Sequence, residues 1–279
     1  MTQAPDDSLA TKDERAGLLA AYDAQLRGAA EVQGAVSWDR SGPLWRVLFT
    51  SEGFVSYESL EGLGGPDAVD DLIAETVAFF SGHRDIERFE WKTRGHDWPA
   101  DLDARLRAHG LEPEEVETVM VGEASRLAVD VDLPPGVTVR RVDQLPDREA
   151  IITEASAVAA GIFGDGPTGA EMLDRLDRMN GLEQFWVAEA ATGEESRVVC
   201  SGRLARVEGT QFAGVWGGST LPEWRGKGIY RALTAARARA ALAEGVRYIH
   251  SDCTAMSRPI LERSGLVAVT TSTPYVWRR

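Results

Sequence analysis

The chain is poor in cysteine, histidine and positive charge. Two cysteines, Cys200 and Cys253, among 279 residues allow at most one disulfide and cannot build a four-cysteine zinc site. Of the four histidines, His83, His96 and His109 follow one another at a spacing of 13. That matches no helical ligand motif, so they read as surface residues and no metal is expected. Thirty basic residues against 44 acidic ones leave a net charge of −14. Phosphate neutralisation needs clustered Lys and Arg, so the acidity argues against a nucleic acid or an anionic membrane as main partner and mildly favours a cationic one. No apolar run approaches the roughly 18 residues of a membrane span. The opening MTQAPDDSLATKDER has no basic-then-apolar leader layout, which leads to the expectation of a reducing cytoplasm. What remains, 43% apolar and 27% charged, is ordinary for a folded protein of one large domain or two small ones.

Residues 1–11 are polar and carry no core pattern. A helix is predicted from Asp13 to Arg27, where Leu18, Leu19, Tyr22 and Leu26 recur at helical spacing. Leu44–Phe49 and Phe54–Tyr57, joined through Ser51-Glu52-Gly53, read as a hairpin. Gly62–Pro66 breaks the chain before an amphipathic helix to Phe80 with Pro in its first turn. A strand at Arg88–Lys92, a helix at Pro99–Ala108 stopped by Gly110, and a strand at Val116–Val121 follow. Asp130-Val-Asp-Leu-Pro-Pro-Gly136 has linker chemistry and marks the expected boundary between residues 1–130 and 137–279. Beyond it come a strand (Val137–Val142), helices (Asp147–Phe163, Gly169–Met179) and three strands (Phe185–Ala190, Val198–Val207, Gln211–Leu221). A long helix (Gly228–Ala243), a strand (Val246–Asp252), a short helix (Ser257–Arg263) and two strands (Val267–Thr271, Tyr275–Trp277) complete the pattern. The alternation predicts an α/β or α+β fold, a mixed central sheet flanked by helices.

Leu106-Arg-Ala-His-Gly110-Leu111 repeats as Leu261-Glu-Arg-Ser-Gly265-Leu266, with Val121 and Val276 eleven residues after each glycine. A helix-stopping glycine is common. The matched order of helix and strand around both copies favours duplication over coincidence.

The richest run is Gly217-Gly-Ser-Thr-Leu-Pro-Glu-Trp-Arg-Gly-Lys-Gly-Ile-Tyr-Arg231, between a strand and a helix. Backbone N–H groups around Arg225–Tyr230 meet the positive end of the helix dipole and form an anion nest. Gly226 and Gly228 let a bulky phosphate approach the backbone, and Arg225, Lys227 and Arg231 add cationic charge. A pyrophosphate is the natural ligand. The spacing fits neither the P-loop, which would need Gly where Leu221 stands and Ser or Thr where Gly228 stands, nor the three-glycine dinucleotide fingerprint. A tight turn before a helix is the plainer alternative. The strand, the Gly-Gly pair, the basic loop and the amphipathic helix together outweigh it.

These residues resemble the GNAT superfamily of acyl-CoA N-acyltransferases, whose motif Arg/Gln-x-x-Gly-x-Gly/Ala is matched by Arg225-Gly-Lys-Gly228-Ile-Tyr230 except at its last position. Tyr230 replaces a small residue, so its side chain must turn away from the cofactor or stack beside it. The resemblance continues through Val246–Asp252 and Glu262-Arg-Ser-Gly265-Leu266, and covers residues 137–279. More weakly, residues 44–122 resemble the C-terminal half of a second, degenerate copy, in which Gly62-Leu-Gly-Gly65 holds the loop position without Arg or Lys, and no cofactor is expected there. The resemblance implies two tandem copies, with acetyl-CoA as acyl donor in the second. It implies pantetheine on the backbone of Gly218, Ser219, Thr220 and Leu221. The diphosphate would lie on amides of Gly226, Lys227, Gly228, Ile229, Tyr230 and Arg231 beside Arg225, with Ser257, a candidate helix cap, reaching the pantetheine arm.

Many GNAT enzymes protonate the leaving thiolate with a Tyr four residues before the second motif's glycine; this chain has Leu261 there. Releasing a thiolate of pKa roughly 8.5 at neutral pH costs about 2 kcal/mol, whereas deprotonating an ammonium of pKa roughly 10.4 costs about 4.6 kcal/mol. A base therefore matters more than an acid. The candidates are Asp252, ranked first for its place near the end of its strand, His250 two residues earlier, and Glu208 in the turn before the motif strand. A loop cap, a packed strand residue and a solvated turn residue are their respective structural readings, and a water chain to bulk is a further route. Cys253 lacks an orienting group for nucleophilic catalysis, and Ser219 lacks the nucleophile elbow. Trp38, Trp45, Trp91, Trp98 and Trp216 read as core or interface, and Arg237 and Arg239 as a solvated helix face. The expected reaction is direct acetyl transfer to a primary amine, a small cationic amine or basic peptide. The alternative is an acyl-CoA-binding module without catalysis. Sequence leaves oligomeric state open.

Overall fold

A computed structural model describes residues 10–279 except 51, 165 and 194. The polar stretch expected at residues 1–11 lies almost wholly outside the described residues, as does Ser51 of the expected hairpin turn. In chain order the elements begin α1 (Lys12–Gln25), β1 (Ser37–Ser41), β2 (Leu44–Leu48), β3 (Glu52–Ser56), α2 (Pro66–Gly82) and β4 (Arg88–Arg94). Next come α3 (Leu102–Ala108), β5 (Glu112–Pro113), β6 (Glu117–Glu123), α4 (Ala124–Leu127), β7 (Val137–Arg141), α5 (Arg148–Phe163) and α6 (Gly169–Arg178). The remainder are β8 (Glu183–Thr192), β9 (Glu195–Arg206), β10 (Phe212–Thr220), α7 (Ile229–Ala243), β11 (Tyr248–Cys253), α8 (Arg258–Arg263) and β12 (Val267–Arg278). Among the described residues no helix is long and apolar enough to cross a membrane.

Two compact units emerge, and they are not contiguous in sequence. The first runs to Met120 and adds Asp252–Pro259 and Val267–Arg279; the second holds Val121–Ser251 and Ile260–Leu266. The linker segment 130–136 thus lies inside the second unit, so packing divides the chain differently from linker chemistry.

In the first unit β1, β2 and β3 pair antiparallel, β3 pairs parallel with β4, and β4 pairs antiparallel with β12. Alternation along β4 explains its two faces. Phe89 and Trp91 are fully buried in a core with Val69, Ile73 and Phe80 of α2, while Arg88, Glu90, Lys92 and Arg94 project from the other side. Gly53 permits this packing, because a Cβ there would lie 2.3 Å from the Phe80 ring.

In the second unit β11 pairs parallel with β10, and β10, β9, β8 and β7 continue antiparallel. Val187 and Val198 pack with α5 and α6, whereas Ala188, Val199 and Cys200 pack with Ile229 and Leu233 of α7. Helices therefore cover both faces, as the strand–helix alternation predicts.

The repeat noticed in sequence has the same local geometry twice. Gly110 donates to the Arg107 carbonyl at 3.0 Å and Leu111 to Leu106 at 3.1 Å; Gly265 and Leu266 donate to Glu262 and Leu261 at 3.0 and 3.1 Å. Both glycines have positive φ, +83° and +100°, the left-handed stop that a side chain disfavours.

Three sequence expectations need correction. Strand β1 escaped notice, because Ser-Trp-Asp-Arg-Ser lacks the β-branched run that marks a strand. Val267–Thr271 and Tyr275–Trp277 form one strand, β12: Pro274 lacks a donor, yet its carbonyl accepts from Glu114 N at 2.8 Å. Arg237 is not solvated but fully buried. It shares the inward face of α7 with Leu233, and donates to the Arg203 carbonyl at 2.9 Å and Thr234 Oγ1 at 3.1 Å. Gly202 leaves it room, since a Cβ there would lie 2.7 Å from its Nη1.

Candidate functional site

The second unit contains the glycine loop. Beyond β10 the chain makes a 3-10 turn at Pro222–Trp224 and reaches α7 through Arg225–Gly228. Gly226 and Gly228 have φ of +73° and +79°. Gly228 is the N-cap of α7, and its carbonyl accepts the helix's first bond, from Ala232 N at 2.9 Å. Among the described residues, the N–H groups of Gly226, Lys227, Gly228, Ile229, Tyr230 and Arg231 have no acceptor. Helix starts leave such donors over in general; here an exposed, doubly left-handed loop adds two more. Arg225 Nε anchors to the Thr220 carbonyl at 3.1 Å, and Lys227 Nζ lies 4.6 Å from the Trp224 ring centroid. Arg225, Lys227 and Arg231 are all exposed.

The strand feeding the loop is bulged. Trp216 pairs with Arg203 and Ser219 with Ser201, so Gly217 and Gly218 both stand opposite Gly202. Two residues against one is a β-bulge, which bends the strand and leaves an unmatched residue. Tyr230, the departure from the family pattern, packs beneath it: a Cβ on Gly218 would lie 2.4 Å from the Tyr230 ring. Its ring is thus turned toward the sheet. Ser219 bonds Ser201 at 2.9 Å, Thr220 Oγ1 meets Cys200 Sγ at 3.1 Å, and Leu221 N reaches the Val199 carbonyl at 3.0 Å. Burial pushes the Cys200 thiol up to about 11, so it stays an inert thiol. On the far side of the bulge, Arg203 pairs with buried Glu183 at 2.5 Å.

The three candidate bases fall in different places. Glu208 is exposed in the β9–β10 turn. It lies at the start of β10, whose length to Thr220 is about 27 Å, so the structure does not bring it to the glycine loop. His250 pairs with Gly214 and is 8% exposed. Its ring meets Trp216 edge-on at 5.2 Å and Phe212 at 6.1 Å, the packed strand residue of the plainer reading. Asp252 belongs to the first unit, 3% exposed, with its Oδ2 2.5 Å from Lys92 Nζ. Ser257 stands just before α8, its N–H donated to the Thr254 carbonyl at 3.1 Å. Leu261, where the family's tyrosine would be, is buried in α8.

Lys92 opens onto a polar cluster of the first unit that single residues did not reveal. Its ammonium also approaches Glu31 Oε1 at 3.5 Å, and Arg94 donates to that oxygen at 2.8 Å. Arg94 Nε donates to the Tyr22 hydroxyl at 2.8 Å, and the Ser56 hydroxyl donates to Glu31 Oε2. Burial pushes the Glu31 carboxyl up, but Arg94, Lys92 and Ser56 outweigh it and hold it below the ordinary value. Burial alone would lower Lys92, yet Asp252 and Glu31 keep it raised and charged. Two further carboxylates feel the charge of this cluster. Desolvation, with repulsion from Glu31 and Glu117 against attraction from Lys92 and Arg88, brings Glu90 to about 7. Desolvation and the Asp252 charge also raise Glu117. The readable signal was the alternation of Arg88, Glu90, Lys92 and Arg94: a strand with a charged face whose other face is core.

Glu90 carries a stability prediction. Its proton is held from the ordinary 4.5 up to about 7 in the folded chain, so the native state binds more protons than the unfolded one in that window, and stability falls as pH rises through it. Each factor of ten in proton affinity is about 1.4 kcal/mol, and the partial solvent access of the side chain reduces the whole effect to about 1–2 kcal/mol. Glu90→Gln should therefore melt above wild type at pH 8, with the difference closing toward pH 4.5. A difference that does not change with pH would contradict the desolvated carboxylate.

Among the described residues no group of three or more His, Cys, Asp or Glu is arranged to hold a metal ion. The sequence matches no protein-family model and no curated protein. Solved structures do match. A GCN5-related N-acetyltransferase from Kribbella flavida superposes with a TM-score of 0.63 at 17% identity, over 89% of this chain and 93% of its own. A tandem GNAT protein from the clavulanic acid biosynthesis pathway gives 0.61 at 15% identity, over 86% and 81%. The Sphaerobacter thermophilus GCN5-related N-acetyltransferase gives 0.58 at 16% identity, over 85% and 76%. The chain has the fold of the GNAT acetyltransferases, a mixed sheet flanked by helices.

Proposed function

We propose that the chain is an acyl-CoA-dependent N-acyltransferase of the GNAT type, moving an acetyl group from acetyl-CoA to a primary amine by direct attack. The observation that carries this reading is the row of six acceptor-less N–H groups at Gly226–Arg231 on a cationic loop that follows a β-bulge. In this reading those amides and Arg225 hold the diphosphate, and the backbone of Gly218–Leu221 pairs with pantetheine. Amides near Gly217 and Gly218 polarise the thioester carbonyl, which develops negative charge as the amine adds. The matching cap geometry at Gly110 and Gly265, and a neighbour described as a tandem GNAT protein, support reading residues 1–130 and 137–279 as tandem copies. In the first copy Pro66 occupies the first turn after Gly65, so that loop offers one N–H fewer and no cation. Two free, buried cysteines suit a reducing cytoplasm.

Calorimetry with acetyl-CoA tests the reading: binding at micromolar to sub-millimolar ligand is expected, and none at millimolar ligand would end it. A second reading, an acyl-CoA-binding module without catalysis, is favoured by buried Leu261 and by the engagement of Asp252 with Lys92. It requires tight CoA binding with no thiol release across an amine panel; release with any amine excludes it.

A further inference from the structure

The two glycines of the β10 bulge face different surroundings. The space beside Gly218 is filled by the Tyr230 ring. Gly217 is exposed, with φ of +60°, and opens onto the guanidinium of Arg203 on β9. A Cβ on Gly217 would lie 3.3 Å from Arg203 Nε and 3.7 Å from its Nη2. These two nitrogens form one edge of the guanidinium, and among the described residues neither has an acceptor. The pairing with Glu183 uses the remaining nitrogen, Nη1, at 2.5 Å. Glu183 is itself shared, because its other oxygen accepts from Arg175 Nε of α6 at 2.7 Å. On the opposite face of the sheet, buried Arg237 donates to the Arg203 carbonyl and to Thr234, and has no ion pair among the described residues. Arg175, Arg203 and Arg237 thus have one carboxylate between them. Trp216 stands opposite Arg203 in the ladder and projects from the same face. Its ring lies back over Gly214, where a Cβ would be 2.2 Å from Nε1, and meets His250 at 5.2 Å. The Arg203 side chain is 19% exposed, so it is fixed by Glu183 and still within reach of a ligand.

The Nε–Nη2 edge of an arginine offers two parallel N–H groups that match the two oxygens of a carboxylate. A glycine at 217 leaves the space in front of that edge free of side chain. We propose that the Nε–Nη2 edge of Arg203, beside Gly217, binds a carboxylate of the ligand, and that the acyl acceptor is an amine that also carries a carboxylate. The acceptor role rests on the transferase reading, in which the amides of Gly217 and Gly218 meet the thioester; the carboxylate site itself does not. The length of chain between carboxylate and amine then sets which amines reach the thioester. The net charge of −14 acts on encounter at long range, whereas this site selects an anionic group locally.

The test uses the full chain without acyl-CoA, at constant ionic strength. Glycine, β-alanine and γ-aminobutyrate are titrated beside glycinamide, β-alaninamide and γ-aminobutyramide, with binding followed by calorimetry and ligand-observed NMR. The amides keep the ammonium and the length but lack the carboxylate. At least one of the acids should bind tenfold or more tightly than its amide. Triglycine binding more tightly than the single amino acids assigns the carboxylate to a peptide C terminus, and the reverse to a free amino acid; either supports the site. Arg203→Lys keeps a cation opposite Glu183 and loses the two-donor edge, and Gly217→Ala places a methyl group against that edge. Each should weaken binding of the acid at least fivefold, with melting curves confirming that the variants are folded. Acids that bind no better than their amides, or folded variants that bind the acid like wild type, overturn the site. Acetyl-CoA titrations separate the two readings. A wild-type chain that binds the acid but not acetyl-CoA ends the transferase reading and leaves the carboxylate site standing. One that binds acetyl-CoA with no preference for acids over amides overturns the carboxylate site alone.

Discussion

Gly228→Glu is expected to abolish acyl-CoA binding while leaving the chain folded. Two costs combine. Gly228 has φ of +79°, a conformation that costs a side-chain-bearing residue about 1–2 kcal/mol. The new carboxylate would also stand in the anion nest, where a like charge at about 4 Å costs roughly 4 kcal/mol at an effective dielectric of 20. Space is not the obstacle, because a Cβ would meet only the Asp132 carbonyl at 3.5 Å and Val131 at 3.6 Å, both ordinary contacts. The matched control is Gly228→Ala, which carries the backbone strain without the charge. Alanine should weaken acetyl-CoA binding by about tenfold and glutamate by at least a further hundredfold, in line with the sum of the two costs. If both variants bind within threefold of each other, no diphosphate approaches this loop.

Lys92→Met should be the most destabilising single change in the first unit's polar face. The methionine keeps the buried stem but removes the ammonium, leaving Asp252 and Glu31 as buried charges with less compensation. Removing one partner of a buried pair costs about 3–5 kcal/mol, which for a protein of this size lowers the melting temperature by roughly 6–20 °C. Lys92→Met combined with Asp252→Asn should recover part of the loss, because the orphaned charge is gone. A double-mutant cycle measures the coupling, expected at about 1–3 kcal/mol. Additive losses would mean that the 2.5 Å contact contributes nothing specific to stability.

These two outcomes bear on different parts of the chain, and the parts differ in how readable they were. The glycine loop is local: a dozen consecutive residues contain the strand end, the glycines, the cations and the helix start. The motif could therefore be recognised before any tertiary contact was known, and the helix stops at Gly110 and Gly265 are local in the same sense. Tyr230 was the single ambiguity, and the close approach of its ring to Gly218 resolved it. The catalytic candidates came from their places on the strand beside the motif helix and in the turn before the motif strand. Glu208 does lie in that turn, but strand position gave no hint that His250 packs against the rings of Trp216 and Phe212.

From the linear order of residues alone followed the α/β class, most of the elements, the glycine loop at the start of α7 and the absence of a tyrosine at Leu261. Each depends on periodicity or on neighbours a few positions apart. Only the tertiary structure decided that Asp252 meets Lys92 across 160 positions, that Arg237 lies inside, that β12 runs through Pro274, and that the C-terminal strand packs with the first 120 residues. Long-range pairing selects which charged side chains lose their water, and a charge's chemistry is set by that loss and by the partner that offsets it, neither of which is written in its immediate neighbours.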